Sequence, residues 1–189
     1  FIQGELTYTN NYLRHRTMLW AGRDFLTPEM KYAGALELFH TRENYIINEN
    51  DSLKIPYAQK SFDAWAGRSF QLAERTNLIF SVRNQAYVFD QRPAILPDSN
   101  NFFFNRNLLL GSATLIKRNF FKSSLITGFG RTEDVPVNSW VISTFGKELN
   151  TFTNRGYFDV RSGIGRYLPA AGYISVDATL GGFYNKENK

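Results

Sequence analysis

Hydrophobic and polar residues alternate one by one through most of this chain. Ile2, Gly4, Leu6 and Tyr8 share one parity; Gln3, Glu5, Thr7 and Thr9 share the other. A β-strand turns successive side chains to opposite faces, so such a stretch has one apolar and one polar side. The pattern returns repeatedly. Phe62, Ala64, Ala66, Phe70 and Leu72 oppose Gln59, Ser61, Asp63, Ser69 and Gln71. Leu78, Phe80, Val82, Ala86 and Val88 oppose Ser81, Arg83 and Gln85. Phe158, Val160, Ser162, Ile164 and Leu168 oppose Asp159, Arg161 and Gly163, and Ile174, Val176, Ala178 and Leu180 oppose Ser175, Asp177 and Thr179. Helical spacing does not compete in these windows, and Leu72-Ala73-Glu74-Arg75 reads as a turn. About ten strands are expected, at 1–10, 14–25, 30–42, 57–72, 76–90, 104–117, 119–130, 139–149, 156–168 and 172–184.

Many of these strands exceed the ~5–6 residues usual in soluble sheets. A tilted strand needs about 9–11 residues to cross a membrane. The expected connections also alternate in length. Glu43–Pro56, Gln91–Phe103 and Arg131–Asn138 are long and polar, whereas the links at Ala73-Glu74-Arg75 and at Arg118 are short. Membrane barrels have short periplasmic turns and longer outer loops. Aromatic residues gather near the expected strand ends, among them Tyr12, Phe25, Tyr57, Phe89, Phe102–Phe104, Phe120, Phe121, Phe129, Tyr157, Tyr167, Tyr173, Phe183 and Tyr184. Barrels place aromatic girdles at both interfaces. The pattern predicts an all-β fold: an antiparallel transmembrane β-barrel with its polar parity turned to the lumen. A soluble β-sandwich plugged by aromatics at its ends is the other fold compatible with it.

Composition sharpens this reading. The chain has 189 residues, 16 % aromatic and 21 % charged, with no Cys and a formal charge of +5. Aromatic richness with modest charge excludes disorder. The lack of Cys excludes disulfide scaffolds and thiolate metal sites. A mean hydropathy of -0.34 does not argue against a barrel, whose wall averages polar and apolar positions. No apolar run reaches the ~18 residues of a spanning helix. The chain opens on Phe1 inside a strand pattern and closes on Asn185-Lys186-Glu187-Asn188-Lys189, without an aromatic terminal strand. It is therefore expected to be one β-barrel domain over 1–189, or a stretch of a larger barrel.

Three segments carry a family resemblance: Leu109-Leu110-Gly111-Ser112, Lys117-Arg118-Asn119-Phe120-Phe121-Lys122, and Gly128-Phe129-Gly130-Arg131-Thr132-Glu133-Asp134-Val135-Pro136. With Arg166-Tyr167-Leu168-Pro169 and Leu180-Gly181-Gly182-Phe183, they resemble the barrel of BamA-like surface-antigen proteins, in versions from Bacteroidetes. The resemblance implies a 16-strand barrel in the bacterial outer membrane. It also implies insertion, assembly or translocation of client proteins or lipids, and periplasmic domains upstream that this chain lacks. The family carries an Arg-Gly-aromatic motif in a long outer loop, whose Arg reaches an acidic wall residue. Arg155-Gly156-Tyr157 matches that motif, although the loop rhythm sets it near an inner turn. The plainer reading is a turn in which Gly156 supplies permissive dihedrals. Arg131, with Glu133 and Asp134, is expected to form a solvated salt bridge of little energetic weight.

Enzymatic chemistry finds little material. Glu5, Glu37, Asp63, Arg83, Asp159, Arg161 and Asp177 share the polar parity, where mixed signs favour pairing across a barrel wall. His15 and His40 are the two histidines; neither adjoins a Gly-x-Ser-x-Gly elbow, and His40 shares the parity of Leu36 and Leu38. Gly146-Lys147 lacks the upstream Gly of a phosphate loop. Zinc is not expected, nor any cofactor. Lys and Arg are scattered, which suits lipid headgroups rather than nucleic acid. The expectation is thus a non-enzymatic outer-membrane barrel, with lipid and client proteins as partners. The alternative is a passive, porin-like channel or a purely structural barrel.

Overall fold

A computed structural model describes residues 1–46, 54–98, 101–123, 133–168 and 172–185. Eleven strands occur among them: β1 (Gln3–Asn10), β2 (Arg14–Arg23), β3 (Tyr32–Ile46), β4 (Lys54–Ala73), β5 (Thr76–Gln91), β6 (Arg106–Lys117), β7 (Phe120–Ser123), β8 (Glu133–Pro136), β9 (Ser139–Asn150), β10 (Asn154–Leu168) and β11 (Gly172–Tyr184). Among the described residues the fold is all-β. Nine strands form one antiparallel sheet in the order β1-β2-β3-β4-β5-β6-β9-β10-β11, and β7 and β8 form a separate ribbon. β1 and β11 do not pair with each other, so the described sheet is open at both edges.

The expected strand at 119–130 is corrected. Of its described residues, Phe120–Ser123 are extended and pair with Glu133–Pro136 instead of entering the sheet, and 124–130 lie outside the described residues. β6 pairs directly with β9. The ribbon is pinned where it leaves the sheet: Val137 N–H donates to Asn119 C=O at 2.8 Å and Gly165 N–H to Asn138 C=O at 2.8 Å. Phe121 stacks on Tyr167 of β10 with centroids 4.0 Å apart.

Losing one strand from the count inverts the parity of everything after β6. Asn150 and Asn154 now lie at the same end of the sheet as Ile46, Lys54, Gln91 and Arg106, and Lys117 and Ser139 lie at the end of Arg23, Tyr32, Ala73 and Thr76. Both ends carry one long and one short connection at least, so the long-short rhythm expected of the chain is not present. β3 and β4 also run further than expected, through Ile46 and from Lys54, which shortens their link to 47–53. The turn at Leu72–Arg75 tightens to Glu74-Arg75, with a register shift between Gln71 and Ala73.

Cross-strand register assigns each residue a face. Leu6, Leu19, Leu38, Phe62 and Ala86 form one continuous row over five strands. Further rows carry Val82, Gly111, Phe145 and Phe158, and Leu115, Val141, Ser162 and Ala178. This apolar face is the exposed one: Leu180 is 70 % accessible, Val82 61 % and Phe145 61 %. The opposite face holds the buried polar groups, with Asp159 and Glu148 each 4 % accessible and Asn77 1 %. The total accessible surface is 13336 Å². A compact protein of this mass, 21.8 kDa, is expected to expose about 9,300 Å². The excess is the uncovered apolar face.

The rows also climb. The row that crosses β1 near its middle, at Leu6, reaches β10 at its first residue, Asn154, seven residues from that strand's middle at Arg161. Seven strand steps separate them, so the stagger is about one residue per strand. That ratio accompanies a tilt of about 36° in a closed eight-stranded barrel of shear 8. On β6 the apolar stretch is bounded by Asn107 and Lys117. Ten steps at ~3.4 Å with that tilt span about 27 Å, close to the ~25 Å apolar band of a membrane barrel.

A hydrophobic core in the usual sense is confined to one end of the polar face. The 92–105 connection turns back over β4 and β5 there. Phe103 packs against Tyr57 and Phe89 with centroids 5.7 and 5.6 Å apart, and Ile55 and Ile95 flank the cluster. Arg92 holds the connection in place by donating to the Phe103 carbonyl at 2.7 Å. Many aromatics expected in girdles sit here or elsewhere on the concave face instead. Tyr57, Phe89 and Phe103 cap it, and Tyr157, Tyr167, Tyr173 and Phe183 share its parity. Phe129 lies outside the described residues.

The polar concave face as candidate functional site

The polar face is concave. Trp65 of β4 and Tyr157 and Arg161 of β10 line one recess of about 320 Å³, together with Ser81, Arg83, Ser112 and Thr144 of the strands between. Four strand spacings of about 4.8 Å separate β4 from β10, too far for one small recess on a flat sheet. The sheet therefore curls with its polar parity inside.

Alternation alone delivers Asp63, Arg83, Asp159 and Arg161 to this face, and register then pairs them. Asp63 and Gln85 are directly opposed, and Arg83 is the next same-face residue on β5. Arg83 Nε donates to Asp63 Oδ1 at 2.8 Å and Gln85 Nε2 to Asp63 Oδ2 at 2.7 Å. Arg161 reaches back along its own strand and grips Asp159, at 2.8 and 3.1 Å to the two oxygens. Ser81 and Ser112 hydroxyls hydrogen-bond across the β5–β6 pair at 2.7 Å. Glu43 joins Arg14 and the Tyr57 hydroxyl near the aromatic cap. The concave face thus carries ion pairs and hydroxyls, and Glu5, Glu37 and Asp177 share it outside these pairs, with Glu37 directly opposed to Asp63. Such a lining hydrates readily.

Arg155, Gly156 and Tyr157 lie in β10, not in a loop or turn. Arg155 is opposed in register to Glu148 of β9. Its Nε donates to Glu148 Oε1 at 3.1 Å, and Asn150 Nδ2 donates to the same oxygen at 3.1 Å. The guanidinium also stands 4.3 Å over the Phe183 ring. Gly156 has no positive φ; the positive-φ glycine among the described residues is Gly172, at 80°. Gly156 serves close approach: a Cβ there would collide with the ring of Tyr184. Tyr157 faces the concave recess and meets Phe183 at 5.0 Å. Arg131 lies outside the described residues, so its pairing does too. Glu133 and Asp134 open β8, in the separate ribbon, with Asp134 exposed and neither residue lining the concave recess. Of these residues the described Glu133 and Asp134 pair through β8 with β7, whereas Arg155–Tyr157 pair with β9 and β11 in the main sheet.

Sequence reasoning missed Glu148 as the partner of Arg155. Symmetry about a turn at 151–153 would set 148 against 156; the observed register is offset by one residue, Leu149 with Asn154, and so brings 148 to 155. Sequence reasoning also missed Asn77. The Asn77 amide donates to Pro28 C=O at 2.9 Å and Ser69 Oγ at 3.0 Å, and accepts from Arg118 at 3.0 Å. This ties the β2–β3 link, β4, β5 and the exit to the ribbon into one knot. Nothing local marks it.

His15 and His40 fall on the opposite, apolar parity. Neither therefore stands beside a hydroxyl of the concave recess. Among the described residues no group of three or more His, Asp or Glu is arranged to hold a metal ion. No family model matches the chain, and no curated protein or solved structure matches it significantly.

Proposed function

We propose that the sheet is wall of a transmembrane β-barrel in a bacterial outer membrane. The observation that carries this is the inversion of the faces: apolar side chains on nine strands point outward and exposed, while carboxylates and amides are buried inside. The largest exposed apolar patch on a soluble monomer is about 300–600 Å². A sheet-wide patch is stable only against hydrocarbon or a second protein layer. Tilt and band height favour hydrocarbon. Lipid leaves no backbone edge unpaired, so in the membrane the edges at β1 and β11 must be paired, with each other or with further strands.

With the motif resemblance, the proposed role is that of a BamA-like barrel, acting in insertion, assembly or translocation of proteins or lipids without covalent catalysis. A passive channel is the second reading. It is favoured by the hydrated concave face with its fixed pairs Asp63–Arg83 and Asp159–Arg161. The first test is folding. The chain is expected to acquire β-type circular dichroism and heat-modifiable gel migration only in detergent or lipid vesicles. A soluble, cooperatively folded monomer in plain buffer refutes the membrane reading. Steady single-channel conductance in planar bilayers, without added client, favours the channel reading over the assembly one.

A further inference from the structure

On the β2–β5 side, the apolar face ends in a cluster of cations. Register sets His15 beside Arg42, and His40 beside Lys60, all on the outward parity. Directly opposed residues in an antiparallel pair stand about 4.5–5.5 Å apart at Cα. Asp90 is the acid among them. It pairs with Lys60 at 2.8 Å, and its carboxylate also feels His40 and Arg42. One carboxylate thus faces two permanent cations and the His40 imidazole. His40 Nδ1 is buried without a hydrogen-bond partner. Next to the cluster opens a recess of about 580 Å³, walled by Leu6, Leu19, Leu38, Phe62, Ala86 and Val88, with His40 and Lys60 on its rim. At the other end of the band, the recess beside Lys117 has that one cation and no such cluster. The two recesses differ in what they attract.

The geometry points to a site for a phosphate-bearing lipid on the outer face of β2–β5. His40, Arg42 and Lys60 hold the headgroup phosphate, and the recess holds an acyl chain. Charge complementarity selects this occupant: a zwitterionic headgroup brings its own cation against Arg42 and Lys60, whereas a bare phosphate monoester does not. Basic side chains near an anionic surface are individually modest attractants, so three acting with a hydrophobic recess are needed for a defined site. This inference rests on the membrane-wall reading.

The test uses the full chain folded in zwitterionic detergent micelles, with retained lipid counted by native mass spectrometry. Dimyristoyl phosphatidic acid, dimyristoyl phosphatidylcholine and inorganic phosphate are the probes. One phosphatidic acid per chain is expected to be retained in preference to phosphatidylcholine. Retention is expected to weaken about ten-fold in H40Q/R42Q/K60Q and to be unchanged in K117Q. Asp90→Asn, which keeps all the cations, is expected to tighten it a few-fold, so the proposal stays testable if the triple variant folds poorly. Equal retention of the two lipids, or no change in the triple variant and in Asp90→Asn, overturns the site. Displacement by millimolar inorganic phosphate overturns the lipid assignment, because the acyl recess then contributes nothing. A chain that folds in plain buffer removes the membrane reading; a micelle-folded chain without lipid preference removes this inference alone.

Discussion

Replacing Val82 by Arg separates a lipid-facing wall from a water-facing one. Val82 is 61 % accessible, and its register neighbours are Ala66 and Gly111. A Cβ built on Gly111 meets nothing within 4 Å, so the longer side chain has room and no packing is lost. Gly111 lies four residues from Asn107 and six from Lys117, the polar bounds of the apolar stretch on β6. Val82 on the same row is therefore near mid-depth. An Arg on the lipid face costs about 2–4 kcal/mol at the midplane and about 0–1 near the interfaces. In water, an exposed substitution without steric conflict stays within about 0.5 kcal/mol. The reference is Val88→Arg, on the row of His40 and Lys60 at the edge of the band. Urea unfolding from phosphatidylcholine vesicles, followed by tryptophan fluorescence, is expected to show Val82→Arg at least about 2 kcal/mol less stable than wild type. Val88→Arg is expected to lose about 1 kcal/mol or less. Equal costs at the two depths, or a cost below about 0.5 kcal/mol at Val82, refute the argument from inverted faces. Arg68 is a natural cation on this face, on the row of Phe80 and Ala113 next to that of Val82. Its guanidinium lies 4.7 Å over Phe70 and 5.5 Å over Tyr32, cation–π contacts that an Arg at position 82 would not inherit and that offset part of its cost.

Other perturbations probe the inner face. Phe103→Ala removes a ring 2 % accessible from the end cap and is expected to cost about 3–5 kcal/mol of unfolding free energy, read by the same titration; a loss under about 1 kcal/mol means the cap does not fold with the wall. Asn77→Ala leaves Arg118, Ser69 and the Pro28 carbonyl short of a partner, with an expected loss of about 1–3 kcal/mol, and unchanged stability would show that water replaces the amide. A double-mutant cycle on Asp63→Asn and Arg83→Gln is expected to give a coupling of about 0.2–1 kcal/mol that shrinks in 1 M salt, because both groups remain partly accessible; a salt-independent coupling would place the pair out of solvent contact. Gly146→Ala drives a Cβ into the Leu109 carbonyl across the β6–β9 pair and is expected to cost about 1–3 kcal/mol; wild-type stability would mean that this pairing yields easily.

Much of the wall was legible in the sequence, because strand periodicity is a local property. Side chains alternate whatever the neighbouring strand does, so the two parities and nine of the expected strands follow from residue order alone. The division of Leu78, Phe80 and Val82 from Ser81 and Arg83 is the one found in the sheet. That Asp159 and Arg161 share a face follows in the same way. The excursion at 118–138 was not legible. Phe120 and Phe121 read as strand, yet whether an extended segment joins a sheet depends on which edge is free, and β9 takes the edge of β6. That single choice moves Arg155 to the end occupied by the 92–105 connection. Tertiary structure also decided which parity is concave, through a twist and stagger accumulated over nine strands. It decided the partners as well: Arg155 with Glu148, and Asn77 with Pro28 and Arg118, pairings set by register and by contacts between distant segments. Alternation tells each residue which way to point; only closure of the long-range pairings tells it what it meets there.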